Sequence, residues 1–219
     1  NRGDFFSVAS LRQKRFLVGE LGGTGRLNYQ NLGTDLIAIL PPGLERLHGV
    51  SEETVFKGKL IDREDFLLLI HGPIEGWWDS ETALEVFEAA TEKVPRLRIA
   101  VPSGKTAQTA GSIFRRFRAR CRKLRQRQRL FFFEIRDDRE WERILHESDA
   151  GFCVEWDCVE SQLANRFRNV QALRAGLPVI GTMRDEMSTE LTGAGVFRRC
   201  APGDTEGLTQ AIVGFAEER

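Results

Sequence analysis

Strand-length apolar runs alternate with helix-length amphipathic stretches along this chain. The runs are Leu36–Leu40, Phe66–Ile70, Leu97–Val101, Leu130–Ile135, Ala150–Val154 and Leu177–Ile180. They are near-continuously apolar rather than alternating, the pattern of parallel strands covered on both faces by helices. Between them, Leu84, Phe87, Thr91 and Val94 share one helical face, with Asp79 or Ser80 as N-cap and Pro95 as stop. Trp141, Ile144 and Leu145 mark a second helix, capped by Asp138. Leu163, Phe167, Val170 and Leu173 mark a third, capped by Ser161 and ended by Gly176 and Pro178. Leu208, Ile212 and Phe215 mark a fourth, after Asp204. Repeated strand–helix units predict an α/β fold, a Rossmann-like doubly wound parallel sheet. Six or so units run from about residue 36 onward. The domain proper is placed at residues 56–219, because Gly22-Gly23-Thr24-Gly25 and Pro41-Pro42-Gly43 break the pattern before it. Residues 1–55 are read as a lead-in from an N-terminal domain or a linker.

Composition narrows the function classes. The 219 residues hold 41% hydrophobic and 29% charged positions, enough for a buried core. No apolar run reaches the ~18 residues of a membrane-spanning helix. Lys+Arg and Asp+Glu both number 32, which speaks against nucleic-acid binding by excess charge. The charge is nevertheless uneven, since residues 115–129 carry nine Lys or Arg. Phe114, Phe117, Cys121 and Leu124 form a narrow apolar stripe there, so this reads as an amphipathic helix docked on the sheet with a solvated basic face. A peripheral contact with anionic lipid is the rival reading. The four cysteines (Cys121, Cys153, Cys158, Cys200) lack paired zinc-ligand spacing, and Cys153 sits in an apolar run, which points to a reducing, cytoplasmic setting. The chain opens at Asn1 rather than Met, as an excised domain would.

Ligands of open α/β sheets bind beyond the carboxyl ends of the strands, so candidate chemistry is sought there. After Phe66–Ile70 comes a glycine-bearing loop, His71 to Asp79, containing Gly72, Ile74, Glu75, Gly76 and Trp77. Free N–H groups before a helix favour phosphate, and one ring of the Trp77-Trp78 doublet is a candidate for stacking. The plainer reading is a tight turn with both tryptophans packed between layers. Lys105 follows the next strand, as a phosphate partner or a solvated lysine. Ile135 and Arg136 follow the strand after that, where a nucleotide base would lie. The richest stretch follows Ala150–Val154: Glu155, Asp157 and Glu160, then Ser161, Gln162, Leu163 and Ala164, whose N–H groups are candidates for a diphosphate, then Arg166 and Arg168. Two apart, these arginines are expected to point different ways. The plainer reading is a capped helix whose arginines pair with the nearby acids. No nucleophile–base constellation and no metal-ligand spacing is visible.

Ser148-Asp149-Ala150-Gly151-Phe152, Glu160, and the block Ala172 to Thr182 with Ala175-Gly176-Leu177-Pro178-Val179 resemble the donor-binding half of glycosyltransferase family 4 proteins. Ala194-Gly195-Val196 and Pro202-Gly203-Asp204 continue the match. Upstream, Asp4-Phe5-Phe6, Ser10, Gln13 to Gly19 and Gly25-Arg26 are similar to a subgroup that also has a Gly-rich turn with Trp and Asp, as Gly72 to Asp79 does. The resemblance implies a GT-B fold, a nucleotide-sugar donor (UDP-, GDP- or dTDP-linked), no further cofactor, and metal-independent transfer with retention. It implies that this chain is the C-terminal half, inactive without an N-terminal domain bearing the acceptor site. Glu160 would hold sugar hydroxyls, and Arg166 would neutralise the leaving diphosphate. Gly72, Ile74, Glu75, Gly76, Trp77, Lys105, Ile135, Arg136, Ser161 to Ala164, Arg168 and Gln171 would bind the donor. The family's two glutamates fall at Leu163 and Gln171 here, so neither is acidic, and its Arg…Lys pair is replaced by the Gly72–Asp79 loop.

Overall fold

The computed structural model describes residues 4–31, 33–43, 53–103 and 111–219. A small parallel sheet comes first, with β1 (Phe6–Val8) and β2 (Ile37–Ile39) joined through α1 (Leu11–Gly23). Then come β3 (Phe66–Ile70), α2 (Ser80–Lys93), β4 (Leu97–Pro102), α3 (Gly111–Arg120), α4 (Arg122–Gln126), β5 (Leu130–Phe133), α5 (Asp138–Glu147) and β6 (Ala150–Cys153). The chain ends with α6 (Val159–Leu163), α7 (Phe167–Arg174), β7 (Val179–Gly181), α8 (Glu186–Gly193), β8 (Phe197–Arg199) and α9 (Thr205–Glu217).

Strands β3 to β8 form one six-stranded sheet in the order β5-β4-β3-β6-β7-β8, every neighbouring pair parallel. The chain builds outward from β3 to β5, returns to lay β6 beside β3, and builds outward the other way. The connections after β3 and β6 therefore leave in opposite directions and open a crevice at the carboxyl ends. Alternate β3 side chains feed two cores. Phe66, Leu68 and Ile70 meet α2, α3 and α9 on one face. Leu67 and Leu69 meet Ile144 and Leu145 of α5 and Ala172 of α7 on the other. The turn at residues 55–57 is tied to this second layer, since Val55, Phe56 and Lys57 donate their backbone N–H groups to the Glu147 carboxylate at 3.0–3.1 Å.

The doubly wound parallel sheet is as expected, but several local readings are corrected. The run Leu36–Leu40 does form a strand, yet it pairs only with β1 and takes no part in the large sheet. The sixth place is filled by β8, an edge strand whose single buried residue is Phe197, too little burial to leave an apolar run. The basic segment is broken at Cys121 into α3 and α4, although Phe114, Phe117, Cys121 and Leu124 are all buried as one stripe. Asp137, not Asp138, caps α5 by accepting from Glu140 N–H. The third helix is split in two, with Cys158 rather than Ser161 as the N-cap of α6. Asp79 and Asp204 cap α2 and α9, and Gly176 ends α7 with φ +70°. Among the described residues, no helix is long and apolar enough to cross a membrane.

Candidate functional site

The loops that leave β3 and β6 are stitched together across the crevice. Asp79 N–H donates to Val154 O at 3.2 Å, and Trp156 N–H to Trp77 O at 3.0 Å. This splits the tryptophan doublet. Trp78 is buried edge-to-face against Phe117, 5.2 Å between centroids. Trp77 is half-buried, and the guanidinium carbons of Arg166 and Arg168 lie 4.0 and 4.3 Å from its ring centroid. The two arginines thus converge, contrary to the expectation from helical spacing. Arg166 precedes α7 as its N-cap with φ −79° and ψ 86°, so the angular rule for helical neighbours does not apply to the pair.

Their partners differ. Arg166 is fully committed. Its Nε donates to Glu155 Oε1 at 2.6 Å, and Nη1 and Nη2 donate to the two oxygens of Glu160 at 2.9 and 2.6 Å. Burial opposes its charge, but Glu160 and Glu155 outweigh this and raise its pKa. Glu155 is buried, and burial holds its carboxyl above the usual range despite Arg166. Arg168 has no carboxylate in ion-pair distance among the described residues; its one hydrogen bond there runs from Nη1 to Pro73 O at 3.3 Å. Burial, with repulsion from Arg166 adding to it, lowers the Arg168 pKa. The guanidinium lies on Gly72, where a Cβ would come within 2.6 Å of Cζ. Glycine there is what lets the cation reach the backbone of the loop.

Below Arg168 lies a buried polar chain. His71 Nε2 meets Asn169 Oδ1 at 3.0 Å, Asn169 Nδ2 donates to Ser188 Oγ at 2.9 Å, and Ser188 N–H donates to Asp185 at 3.0 Å. Gly151 makes room for the imidazole, since a Cβ would sit 2.8 Å from Nδ1. Burial lowers the His71 pKa from 6.5 to about 4, so the ring is neutral at pH 7.

The crevice opens into a cavity of about 720 Å³. Of the residues singled out from the sequence, Gly72, Ile74, Ile135, Arg136, Arg166, Arg168 and Gln171 line it. Others stand elsewhere. The Glu75 carboxylate accepts from Trp77 Nε1 at 3.1 Å, and Gly76 is exposed. Glu160 is engaged by Arg166. Ser161 is buried in the first turn of α6, with its hydroxyl donating to Cys158 O. Gln162 and Ala164 spend their N–H groups on Cys158 O and Glu160 O, so they do not form an open cradle. Gln162 and Leu163 line a different cavity, and Lys105 lies outside the described residues. The far wall is made by Pro102, Ser103, Trp141 and Phe167. Sequence reading did not select Trp141, Phe167, His71 or Asn169 for the site. For His71, Phe167 and Asn169 the one signal is position, immediately after a strand or beside the two arginines; Trp141, inside α5, reads only as a helix-face residue.

Neither the comparison with protein-family models nor that with curated proteins gave a match. The chain does match solved structures. One is a point mutant of Staphylococcus aureus TarM in complex with fondaparinux, α-GlcNAc-glycerol and UDP, at TM-score 0.68 and 9% identity, over 98% of this chain and 37% of that one. A second is WaaG, a glycosyltransferase involved in lipopolysaccharide biosynthesis, at TM-score 0.67 and 18% identity, over 98% and 54%. A third is the pneumococcal O-GlcNAc transferase GtfA with UDP and GlcNAc, at TM-score 0.58 and 12% identity, over 97% and 37%. The fold is that of a GT-B glycosyltransferase half. The chain spans about half the length, or less, of these structures, and the matched region takes in the small sheet as well as the large one.

The charge arrangement makes two outcomes measurable. Arg166→Ala should cost about 3–5 kcal/mol of stability, because it strands the buried Glu155; a denaturant midpoint close to wild type would refute the clamp. The second concerns His71, whose folded pKa lies below its unfolded value. Its contribution to stability is complete above pH 6.5 and is lost as pH falls toward 4, by up to about 1.4 kcal/mol per pH unit. Denaturation of wild type and His71→Gln at pH 7.5, 5.5 and 4.5 should show their stability gap narrowing with acidity. A constant gap would mean that His71 is not held neutral.

Proposed function

We propose that this chain is the donor-binding part of a retaining, metal-independent glycosyltransferase that moves a sugar from a nucleotide-sugar to an acceptor. The observation that carries this reading is Arg168, a half-buried cation without a carboxylate partner among the described residues, laid on Gly72 in the crevice of a GT-B fold. Such a desolvated cation is stabilised by an anion in the cavity, and the same contact strengthens as charge grows on a departing diphosphate. The base is assigned to the far wall near Ile135, Arg136 and Trp141, and sugar hydroxyls to Gln171 and the Gly72–Ile74 backbone. Arg166 is assigned a positioning role, since both its partners are carboxylates of this chain. The UDP present in the TarM and GtfA structures supports a nucleoside diphosphate donor. An N-terminal partner domain is inferred from the resemblance and from the length of the matched structures. Exposed Phe5, Phe16 and Leu40 in and beside the small sheet are suitable for its interface. Retention and metal independence rest on the resemblance alone.

A second reading, a glycosyltransferase-like module that binds without turnover, is favoured by one observation: both oxygens of Glu160 are already held by Arg166. Titration with UDP, GDP and dTDP by calorimetry tests the donor reading. One of them should bind at micromolar to low-millimolar Kd. Arg168→Ala should weaken it about ten- to a hundredfold, as loss of a charged hydrogen bond does. Gly72→Ala, which displaces the guanidinium, should act in the same direction. Unchanged affinity in both variants would remove Arg168 from the site.

A cytoplasmic, peripheral placement is proposed through the outer face of α3 and α4. There Arg120 and Arg127 pair with Glu81 and Glu92 of α2. Arg115, Arg116, Arg122 and Lys123 are exposed and are assigned to anionic lipid. Binding to vesicles of acidic phospholipid should fade as salt is raised from about 0.05 to about 0.5 M; no binding at low salt would discard this placement.

A further inference from the structure

We infer that the chain has a second anion site, a cavity of about 580 Å³ where α1 meets α6, α8 and β8, and that it takes a phosphate monoester. Its lining holds four arginines, Arg12, Arg15, Arg184 and Arg199, and, among the described residues, no carboxylate. Arg12 is fixed by the chain itself. Its Nη1 donates to Arg184 O at 2.5 Å and to Gln162 O at 3.3 Å, and Gln13 Nε2 beside it donates to Leu163 O at 2.8 Å. These bonds join segments some 150 residues apart and hold α1 against the end of α6.

Backbone carbonyls do not neutralise a guanidinium charge. Among the described residues, Arg15 has no ion pair, and Arg199 has one hydrogen bond, to Thr189 Oγ1 at 3.1 Å. Two acids stand close by, Asp157 paired with Arg184 at 3.0 Å and Glu186 accepting the Arg12 backbone N–H at 2.9 Å. Against four arginines they leave a net positive wall, with Arg15 and Arg199 as its cations without a carboxylate partner among the described residues. A smaller cavity of about 270 Å³ shares Arg184 and Arg199, so the positive lining extends beyond the first opening. Such a concentration of cation in a concave site attracts and orients a dianion. The volume leaves space for a sugar-sized body, with Phe16 and Leu163 as apolar wall.

The segment from α6 to α7 walls both cavities, Gln162 and Leu163 on this side and Asn165 to Arg168 on the other. A ligand here would lie one chain segment away from the donor. On the transferase reading proposed above, on which this assignment rests, it is the phosphate-bearing part of the acceptor; the anion site itself does not need that reading.

The test is calorimetry on the 219-residue chain at ionic strength fixed with chloride, using inorganic phosphate, a hexose phosphate, the free hexose, and UDP. The hexose phosphate should bind more tightly than phosphate, and the free hexose at least tenfold more weakly. Arg15→Ala/Arg199→Ala should weaken hexose phosphate at least fivefold while UDP stays within twofold, and Arg168→Ala should do the reverse. Both arginines are exposed, and Arg15→Gln/Arg199→Gln provides a milder check on folding. Three results would overturn the second site: no hexose phosphate binding, binding indifferent to the double variant, or binding lost in Arg168→Ala instead. Phosphate binding without UDP binding would leave the anion site standing and end the donor reading.

Discussion

The crevice depends on one cation held between two carboxylates. Arg166 reaches the buried Glu155 with Nε, grips Glu160 with its two terminal nitrogens, and lies on the Trp77 ring. That contact ties together three segments that leave the sheet separately: the loop after β3, the loop after β6, and the break between α6 and α7. Burying Glu155 is tolerable only because Arg166 meets it, and burying Arg166 only because both acids do. The cluster is therefore a joint in which each charge is the condition for the others. The backbone bonds between Trp77 and Trp156 and between Asp79 and Val154 set the spacing of the loops around it.

Once Arg166 is committed inward, the second arginine acquires a different character. Arg168 sits beside the same ring, is largely desolvated, and meets no acid among the described residues. A neighbouring like charge and a low-dielectric surrounding both make its isolated state costly, so the cavity wall carries an unbalanced positive charge where the fold opens. Glycine at position 72 sets how far that charge reaches, because any side chain would occupy the place of the guanidinium. The buried chain from His71 through Asn169 and Ser188 to Asp185 anchors α7 to α8 without adding charge from the imidazole, since His71 is neutral. The division is between a structural cation and a binding cation two residues apart.

Much of this fold was legible because strands and helices follow local side-chain periods. The runs at residues 66–70, 97–101, 130–135, 150–154 and 177–180 all mark strands of the large sheet, and the stripe of Phe114, Phe117, Cys121 and Leu124 does face the core. The two loops flanking the crevice were also visible, as glycine and charge clustered after two strands. The failures have physical causes. An edge strand such as β8 buries too little to leave an apolar run, and an apolar run such as Leu36–Leu40 carries no information about which strand it will pair with.

Within the site, chain proximity alone dictated that Arg166, Arg168, Glu155 and Glu160 would stand near one another, since they lie within fourteen positions. Proximity could not say which arginine would be neutralised, because that depends on distances of a few ångströms, and the local backbone break before α7 undoes the helical angle on which a sequence argument relies. The gathering of Arg12 and Arg15 with Arg184 and Arg199 lay further out of reach. Charges some 170 residues apart attract, repel or share a ligand only through space, and only the packing of α1 against α6 and α8 brings them to one wall.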